Sequence, residues 1–218
     1  SARPLGAMCT CSHDEEWPED TWNLYQHIER AEGLNTLGDE GAARGVFKPH
    51  ARRRDPAPFI ESDADEEIIV KVWFVAPVNI RRICIASCGS AEEADPESHP
   101  SSVRCFTGPT AEGLGFDSME DTQPAQVIEL AVNPEAEAFV PCAIKPFSQV
   151  SFLLLHFPAN HGGVERTRVS YIGLQGEHSH AKRQAVDAKY EVVPNAEDTQ
   201  EAQRILGLDK TGALGRMT

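Results

Sequence analysis

The sequence lacks the long apolar runs and the short motifs that mark several large classes of protein. Its longest strongly apolar stretch, Phe152 to Phe157, is far shorter than the roughly 20 residues that cross a bilayer, so no membrane partner is expected. A nucleophile elbow (Gly-x-Ser-x-Gly), the glycine-rich phosphate loops and His-Glu-x-x-His are also missing. Hydrolase, nucleotide-dependent and zinc-protease chemistry are therefore not indicated.

Positive charge is scarce. The 20 Lys and Arg residues are outnumbered by 34 Asp and Glu residues, which gives a formal net charge of -14. Such a surface repels the phosphate backbone of a nucleic acid, so no nucleic-acid partner is expected. Aromatic residues are also few, at 7% of the chain, and this limits the number of stacking platforms for a sugar.

The cysteines and the absence of glycosylation sites predict a reducing compartment. The sequence contains six cysteines and no Asn-x-Ser/Thr site, a combination that fits a reducing compartment. We therefore expect free thiols and a protein of the cytoplasm, of the nucleus or of both. The cysteines are Cys9, Cys11, Cys84, Cys88, Cys105 and Cys142. Cys84, Cys105 and Cys142 lie among apolar residues, which favours buried, unreactive side chains.

Composition divides the chain into four parts. Residues 1–7 precede Met8 without the features of a signal peptide, and we interpret them as a cloning remnant. Residues 8–19 are rich in Cys, His and acid with little to bury, which predicts a flexible tail. Residues 20–194 are expected to form one domain, and residues 195–218 a peripheral helix and tail.

Period-two alternation of apolar residues predicts a fold made of about seven or eight short strands. Gly and Pro separate these segments, and no helical pattern lies between them, so the sequence predicts an all-β, antiparallel sandwich rather than a parallel sheet. The predicted strands include 68–74, 80–87, 103–106, 127–132, 150–157 and 167–174, with a weaker one at 189–193.

Short helices are expected at the periphery. Trp22, Leu24, Tyr25 and Ile28 follow helical spacing, and Gly33 could end that helix. Residues 34–58 show no periodicity, which is typical of a functional or packed loop. A second helix is predicted after residue 195.

One cluster has the residue types of a metal site. Cys9, Cys11 and His13 supply two thiols and an imidazole, which suit Zn²⁺ or Cu⁺. A closed zinc site needs a fourth ligand, and the sequence identifies none. The alternative is that these are incidental residues of a tail, and no other cofactor is expected.

An acidic segment precedes the first strong strand. Glu61, Asp63, Asp65 and Glu66 form it together with Glu67, and they could steer a basic protein partner toward the domain. In the alternative interpretation, the Asp side chains accept backbone N–H groups in turns. A calcium site would need oxygen ligands from other loops.

A basic run stands in the preceding loop. Arg52, Arg53 and Arg54 form it, with Lys48 nearby. Three interpretations remain open: a solvated loop, an intramolecular partner for the acidic segment, and a docking site for an acidic protein surface.

Four short motifs follow one another along the chain: Glu61–Ile69, Ser98–Ser101, Pro146–Val150 and Thr167–Glu177. In this order they resemble the PITH domain family, within a similarity that runs from about residue 24 to 194. Leu24-Tyr25, Leu34-Asn35 and Arg44–Pro49 are most similar to the standalone PITH domain-containing proteins.

The resemblance implies a jelly-roll β-sandwich similar to galactose-binding-like domains and a protein-interaction role. The family takes its name from proteasome binding by a member that carries a thioredoxin domain with a Cys-x-x-Cys motif. This chain has Cys-x-Cys instead, so oxidoreductase activity is not expected.

We therefore expect a non-enzymatic, monomeric adaptor with the regulatory particle of the 26S proteasome as candidate partner. Two alternatives stay open. One is a small-ligand or carbohydrate site at one end of the sandwich, with Trp22, Trp73 and Tyr171 as the aromatic candidates. The other is a metal or redox role of the Cys9/Cys11/His13 tail.

Overall fold

β-strands make up most of the regular structure. A computed structural model describes residues 22–88 and 96–178. Its strands are β1 (Ile28–Leu34), β2 (Ile60–Glu61), β3 (Ile68–Ala86), β4 (Ser102–Thr107), β5 (Gln126–Glu129), β6 (Val140–Pro141), β7 (Val150–Phe157), β8 (Arg168–Val169) and β9 (Tyr171–His178). An α-helix, α1, spans Phe116–Met119, and 3-10 helices span Leu24–His27, Glu40–Val46, His50–Arg52, Pro96–Ser98 and Pro109–Gly113. No helix within the described ranges is long and apolar enough to cross a bilayer.

The long strand β3 joins the two layers of the sandwich. Its first half pairs antiparallel with β1 on one side and β7 on the other, so that Val72 lies opposite Ala31 and Leu153. Its second half pairs antiparallel with β9 and β6. Strand β4 extends the first layer beyond β7, and β5 pairs with β4. The predicted all-β antiparallel sandwich is confirmed.

The main core lies between these layers. Alternate residues of each strand point inward, because successive side chains of a strand face opposite sides. Val70 and Val72 of β3, Leu153 and Leu155 of β7 and Val103 of β4 belong to one buried apolar cluster. Residues of the second half of β3 and of β9 complete the same cluster, among them Ile80, Ile83, Ile85, Ile172 and Leu174.

The opposite face of the first layer carries a second apolar cluster. Ile69, Phe106, Phe152 and Leu154 are buried there beneath a connection that contains α1, whose Met119 belongs to the same cluster. The connection thereby covers part of a sheet face that would otherwise be exposed. At one end of this covered face lies the candidate site described below.

The predicted helix near the start of the domain is wrong. Asn23 caps a single 3-10 turn, Leu24–His27, by accepting the amide of Tyr25 at 3.1 Å, and β1 then runs to Leu34. A bulge at Glu29 shifts the register of β1 between Ile28 and Arg30. The helix-like spacing comes from the 3-10 turn itself, which buries Leu24 and Ile28 four residues apart before the strand begins.

The predicted break between two strands at residues 76–79 is also wrong, because β3 is continuous. Pro77 has no N–H to donate to a neighbouring strand. It lies where the ladder with β7 changes register between Trp73 and Val78, and where the ladder with β9 begins at Val78. The missing donor is tolerated at this change of partners.

Other strand predictions are confirmed with small changes of boundary. The segment predicted at 150–157 coincides with β7, and 167–174 contains β8 and the start of β9. The aperiodic loop 34–58 is a packed excursion, since Ala43, Val46 and Phe47 are in the core. The strand predicted at 189–193 and the helix after 195 lie outside the described residues.

A glycine in β9 tests the packing of β9 against β3. A Cβ atom at Gly176 would overlap the backbone carbonyl of Asn79, which cannot move without shifting β3. We expect Gly176→Ala to lower the free energy of unfolding by about 3 kcal/mol or more in urea denaturation. The control Gly113→Ala meets nothing within 4 Å and should change stability little. Equal stability of the two variants would contradict the close approach.

Candidate functional site

An imidazole and a guanidinium stand side by side on the covered face of the first layer. His156 of β7 lies directly opposite Arg104 of β4 in the antiparallel register, and opposite Ile69 of β3 on its other side. His156 follows Phe152 and Leu154 on the same face, so the alternation that buries those side chains also buries the imidazole. The ring of Phe116 in α1 meets the His156 ring edge-on, with centroids 6.4 Å apart.

A cavity of about 620 Å³ opens beside this pair. It has charged and apolar walls, and none of the described residues that line it is a cysteine. The lining residues are Glu67, Arg104, Phe116, Asp117, Met119, Glu120, His156 and Pro158. Glu67 comes from the end of the acidic segment, immediately before β3, whereas Asp117 and Glu120 come from α1 and its C-terminal end.

His156 is neutral at physiological pH. Only 3% of it is exposed, and neither ring nitrogen has a hydrogen-bond partner in the described residues. Burial, together with the nearby positive charge of Arg104, lowers the pKa of His156 to about 4. Its Nε2 lies 3.6 Å from Oε2 of Glu67, too long for a good hydrogen bond, and the neutral ring forms no ion pair there.

The carboxyl group of Glu67 is surrounded by other acidic side chains. Burial raises its pKa, and the carboxylates of Asp65 and Glu66 raise it further, while Arg104 opposes them. Glu120, across the cavity, acts in the same direction as the neighbouring acids. Burial disfavours a charge of either sign, so the raised pKa does not by itself select the charge of a ligand. The neighbouring carboxylates of Asp65, Glu66 and Glu120 do disfavour a further negative charge, and a positive charge beside Glu67 would offset their repulsion.

Asn35 holds the acidic segment in a fixed turn. Its backbone has a positive φ of 57°, which asparagine tolerates better than most residues. Its side-chain Nδ2 donates to Oδ1 of Asp65 at 2.6 Å and to the carbonyl of Glu67 at 2.7 Å. Its Oδ1 accepts the amide of Ala64 at 2.9 Å. The turn is thus stabilised by a residue that lies about thirty positions earlier in the chain.

The acidic side chains have different surroundings. Asp65 accepts the amide of Glu67 at 3.1 Å, the turn role that its residue type suggested. Glu61, at the end of β2, forms an ion pair with Arg166 at 2.8 Å. Asp63 is exposed and Glu66 is half-buried, and neither forms an ion pair within the described parts of the chain. These two carboxylates are available to a partner.

Two of the three arginines of the basic run form ion pairs within the chain. Arg52 pairs with Asp55 at 2.7 Å. Arg54 pairs with Glu135 at 3.1 Å and with Glu137 at 2.5 Å. Arg53 is half-buried and donates to the carbonyl of His50 at 3.3 Å. In the part of the chain that the structure describes, the carboxylates paired with Arg52 and Arg54 are not those of the acidic segment.

The cysteines that the structure describes are poor nucleophiles. Cys84 and Cys105 are fully buried, Cys88 is nearly so, and Cys142 is half-buried. Burial raises the pKa of Cys84 and of Cys142 to about 12, and it also raises the pKa values of Cys88 and Cys105. Each is therefore a thiol rather than a thiolate at neutral pH. The predicted metal ligands Cys9, Cys11 and His13 lie outside the described residues.

Sequence reasoning missed the cavity. The sequence shows His156 inside an apolar strand, which by itself favours an ordinary core or surface residue. Arg104 and Glu120 carry no motif, and they meet His156 only through strand register and the position of α1. The alternation that placed His156 on the face of Phe152 and Leu154 was the one available signal.

The buried imidazole makes stability depend on pH. The pKa of His156 falls from 6.5 to about 4 on folding, so the unfolded chain takes up the proton first as the pH drops. Between about pH 6.5 and 4, His156 should cost the native state up to about 3 kcal/mol. We expect the unfolding free energy of the wild type to fall more steeply than that of His156→Gln. If the free energy of unfolding depended on pH in the same way in both proteins, the burial of a neutral imidazole would be contradicted.

The bracing role of Asn35 can be tested by substitution. Asn35→Gly keeps the positive φ accessible but removes the side-chain hydrogen bonds with Ala64, Asp65 and Glu67, and should lower the unfolding free energy by about 1–2 kcal/mol. Asn35→Ala loses the same bonds and adds backbone strain, so it should be less stable than Asn35→Gly. Urea denaturation of the three proteins measures this order. A fully stable Asn35→Gly variant would show that the bonds do not brace the turn.

Comparison with known proteins places these features in a family. A model of the PITH domain matches residues 14–194. PITH domain-containing protein 1 of Danio rerio is 37% identical over 182 residues, which cover 81% of this chain and 80% of that protein. Its human namesake is 34% identical over 200 residues, covering 88% of this chain and 90% of that protein.

A solved structure shares the fold. The fucolectin from Morone saxatilis serum matches with a TM-score of 0.50 and 14% identity, over 72% of this chain and 49% of that one. This likeness concerns the jelly-roll fold alone. The family model and the relatives agree with the motif series in the sequence, and the chain belongs to the PITH domain family.

Proposed function

We propose that this chain is a non-catalytic adaptor that binds another protein, and that its partner is the regulatory particle of the 26S proteasome. Support comes from the acidic segment, which Asn35 and Asp65 hold in one conformation, while Asp63 and Glu66 form no ion pair with another described residue. A fixed turn with free carboxylates loses little conformational entropy on binding. It suits a basic protein surface better than any neutral ligand.

The charge of the whole chain supports the same kind of partner. A net charge of -14 attracts a basic surface over a long range and raises the rate of encounter. The basic run adds little positive potential against this, because Arg52 and Arg54 are already paired with acids. Family membership supports the choice of the proteasome as the candidate.

The chemistry of the described residues supports a non-enzymatic role. The thiols of Cys84, Cys105 and Cys142 have raised pKa values, which makes them unsuitable as nucleophiles. The described residues that line the cavity with His156 include no thiol or hydroxyl nucleophile. We extend the proposal to a monomer that acts in the cytoplasm and the nucleus.

A carbohydrate-binding role is less well supported. Tyr171, one of the aromatic candidates, is fully buried. Arg30 stacks on the ring of Trp73, with the guanidinium 3.8 Å from the ring centroid, and Trp73 also donates to Glu112 at 2.9 Å. Tyr171 is thus inaccessible to a sugar, and Arg30 already occupies a stacking position on Trp73. The alternative role of the Cys9/Cys11/His13 tail concerns residues outside those described.

Charge reversal tests the acidic segment as the binding surface. We expect Asp63→Lys with Glu66→Lys to slow association with the purified regulatory particle about tenfold or more, and to flatten the dependence of association on salt. The measurement is biosensor kinetics at several salt concentrations.

The control carries the same change of net charge at other places. Glu29→Lys with Glu129→Lys alters exposed residues of β1 and β5, outside the acidic segment. This control should associate nearly as fast as the wild type. An equal effect of both double variants would reject the acidic segment as the contact. Lack of binding by the wild type would reject the proteasome as the partner.

A further inference from the structure

The His156 imidazole is a buried polar group without a hydrogen-bond partner among residues 22–88 and 96–178. It is 3% exposed and lines the cavity. Burying a polar group unsatisfied is unfavourable, and most buried polar groups are therefore paired. A second molecule with hydrogen-bonding groups would recover this cost.

The walls of the cavity select the charge of that molecule. Three carboxylates, those of Glu67, Asp117 and Glu120, face one guanidinium, that of Arg104. Burial raises the pKa of Glu67 and the carboxylates of Asp65, Glu66 and Glu120 raise it further; a positive charge beside Glu67 would offset the repulsion among these carboxylates. Arg104 repels a cation at its own end, but burial and Arg104 together keep the His156 ring neutral, with one ring nitrogen able to accept a hydrogen bond.

The shape and the apolar walls select the kind of cation. Within the described residues, no three His, Cys, Asp or Glu side chains are grouped closely enough to hold a metal ion. The separated acceptors suit an organic cation that carries several N–H donors. Phe116, Met119 and Pro158 provide apolar surface for a methylene chain below the charged group. Lysine and arginine side chains have both parts.

The position of the cavity favours a side chain from a protein. Glu67 belongs at once to the cavity wall and to the acidic segment, directly after Glu66. A basic stretch bound along Asp63 and Glu66 would therefore reach the mouth of the cavity. The volume of about 620 Å³ lies within the usual range of ligand pockets.

We propose that this cavity receives one lysine or arginine side chain of the protein partner, with the cation between Glu67, Glu120 and His156. The proposal rests on the proposed protein-binding function and adds to it the anchor residue. In this arrangement the N–H groups of the cation donate to carboxylate oxygens of Glu67 and Glu120, and a small rotation of the His156 ring, whose nitrogens are enclosed in the free protein, lets one ring nitrogen accept a further hydrogen bond. The aliphatic part of the side chain packs against Phe116.

Blocked pentapeptides of the form Gly-Gly-X-Gly-Gly, with X as lysine, arginine, norleucine or glutamate, test the proposal. The readout is the imidazole resonance of His156 in the histidine-labelled full chain, assigned with His156→Gln. The lysine and arginine peptides should shift this resonance saturably, whereas the norleucine and glutamate peptides should not. Glu67→Gln with Glu120→Gln should weaken the lysine peptide about tenfold or more, as loss of a charged hydrogen bond predicts.

A matched pair of substitutions controls for net charge. Glu29→Gln with Glu129→Gln neutralises two exposed acids outside the cavity and should leave the lysine peptide affinity unchanged. Equal shifts from the norleucine and lysine peptides would overturn the proposal, as would a response to glutamate alone or no response to any peptide. Equal weakening by both double variants would also overturn it.

Parallel binding of the purified regulatory particle to the wild type separates this inference from the proposed function. A His156 response to lysine without binding of the particle would remove the proposed partner and support the cavity assignment. Binding of the particle with no response to lysine or arginine would remove the cavity assignment alone. A combined failure of both assays would overturn both proposals.

Discussion

Pairing on both sides of β3 is the constraint on which the rest of the structure depends. This strand runs from Ile68 to Ala86 and exchanges partners near Pro77, so that the same backbone belongs to both layers. Its buried side chains fix the register of β7, and the register of β7 fixes the face on which His156 lies. Glu67 immediately precedes β3, so the position of this strand also places Glu67 in the wall of the cavity.

The strand pattern could be predicted from the sequence because one face of most strands is buried, which imposes period-two alternation. The failures have identifiable causes. A single 3-10 turn buries Leu24 and Ile28 four residues apart, which imitates a longer helix, and Pro77 lies where a missing donor costs little. Neither feature can be recognised until the neighbouring strands are known.

The candidate site was only partly predictable. Local composition identified the acidic segment, and the turn role of Asp65 followed from its residue type. Three further features depend on long-range contacts. The support from Asn35 spans about thirty residues, Arg54 pairs with a distant loop, and the cavity brings β4, β7 and α1 together. Composition and residue spacing do not predict such long-range contacts, whereas strand register does.

The central claim is that this PITH domain meets its partner through the acidic segment and the adjoining cavity. Zero-length carbodiimide cross-linking to the purified regulatory particle, followed by mass spectrometry, tests it most directly, because the reagent joins carboxylates to lysines in contact. The account predicts cross-links from Asp63, Glu66 or Glu120 to lysines of one subunit. Cross-links confined to acids far from this surface, such as Glu29 and Glu129, would contradict it.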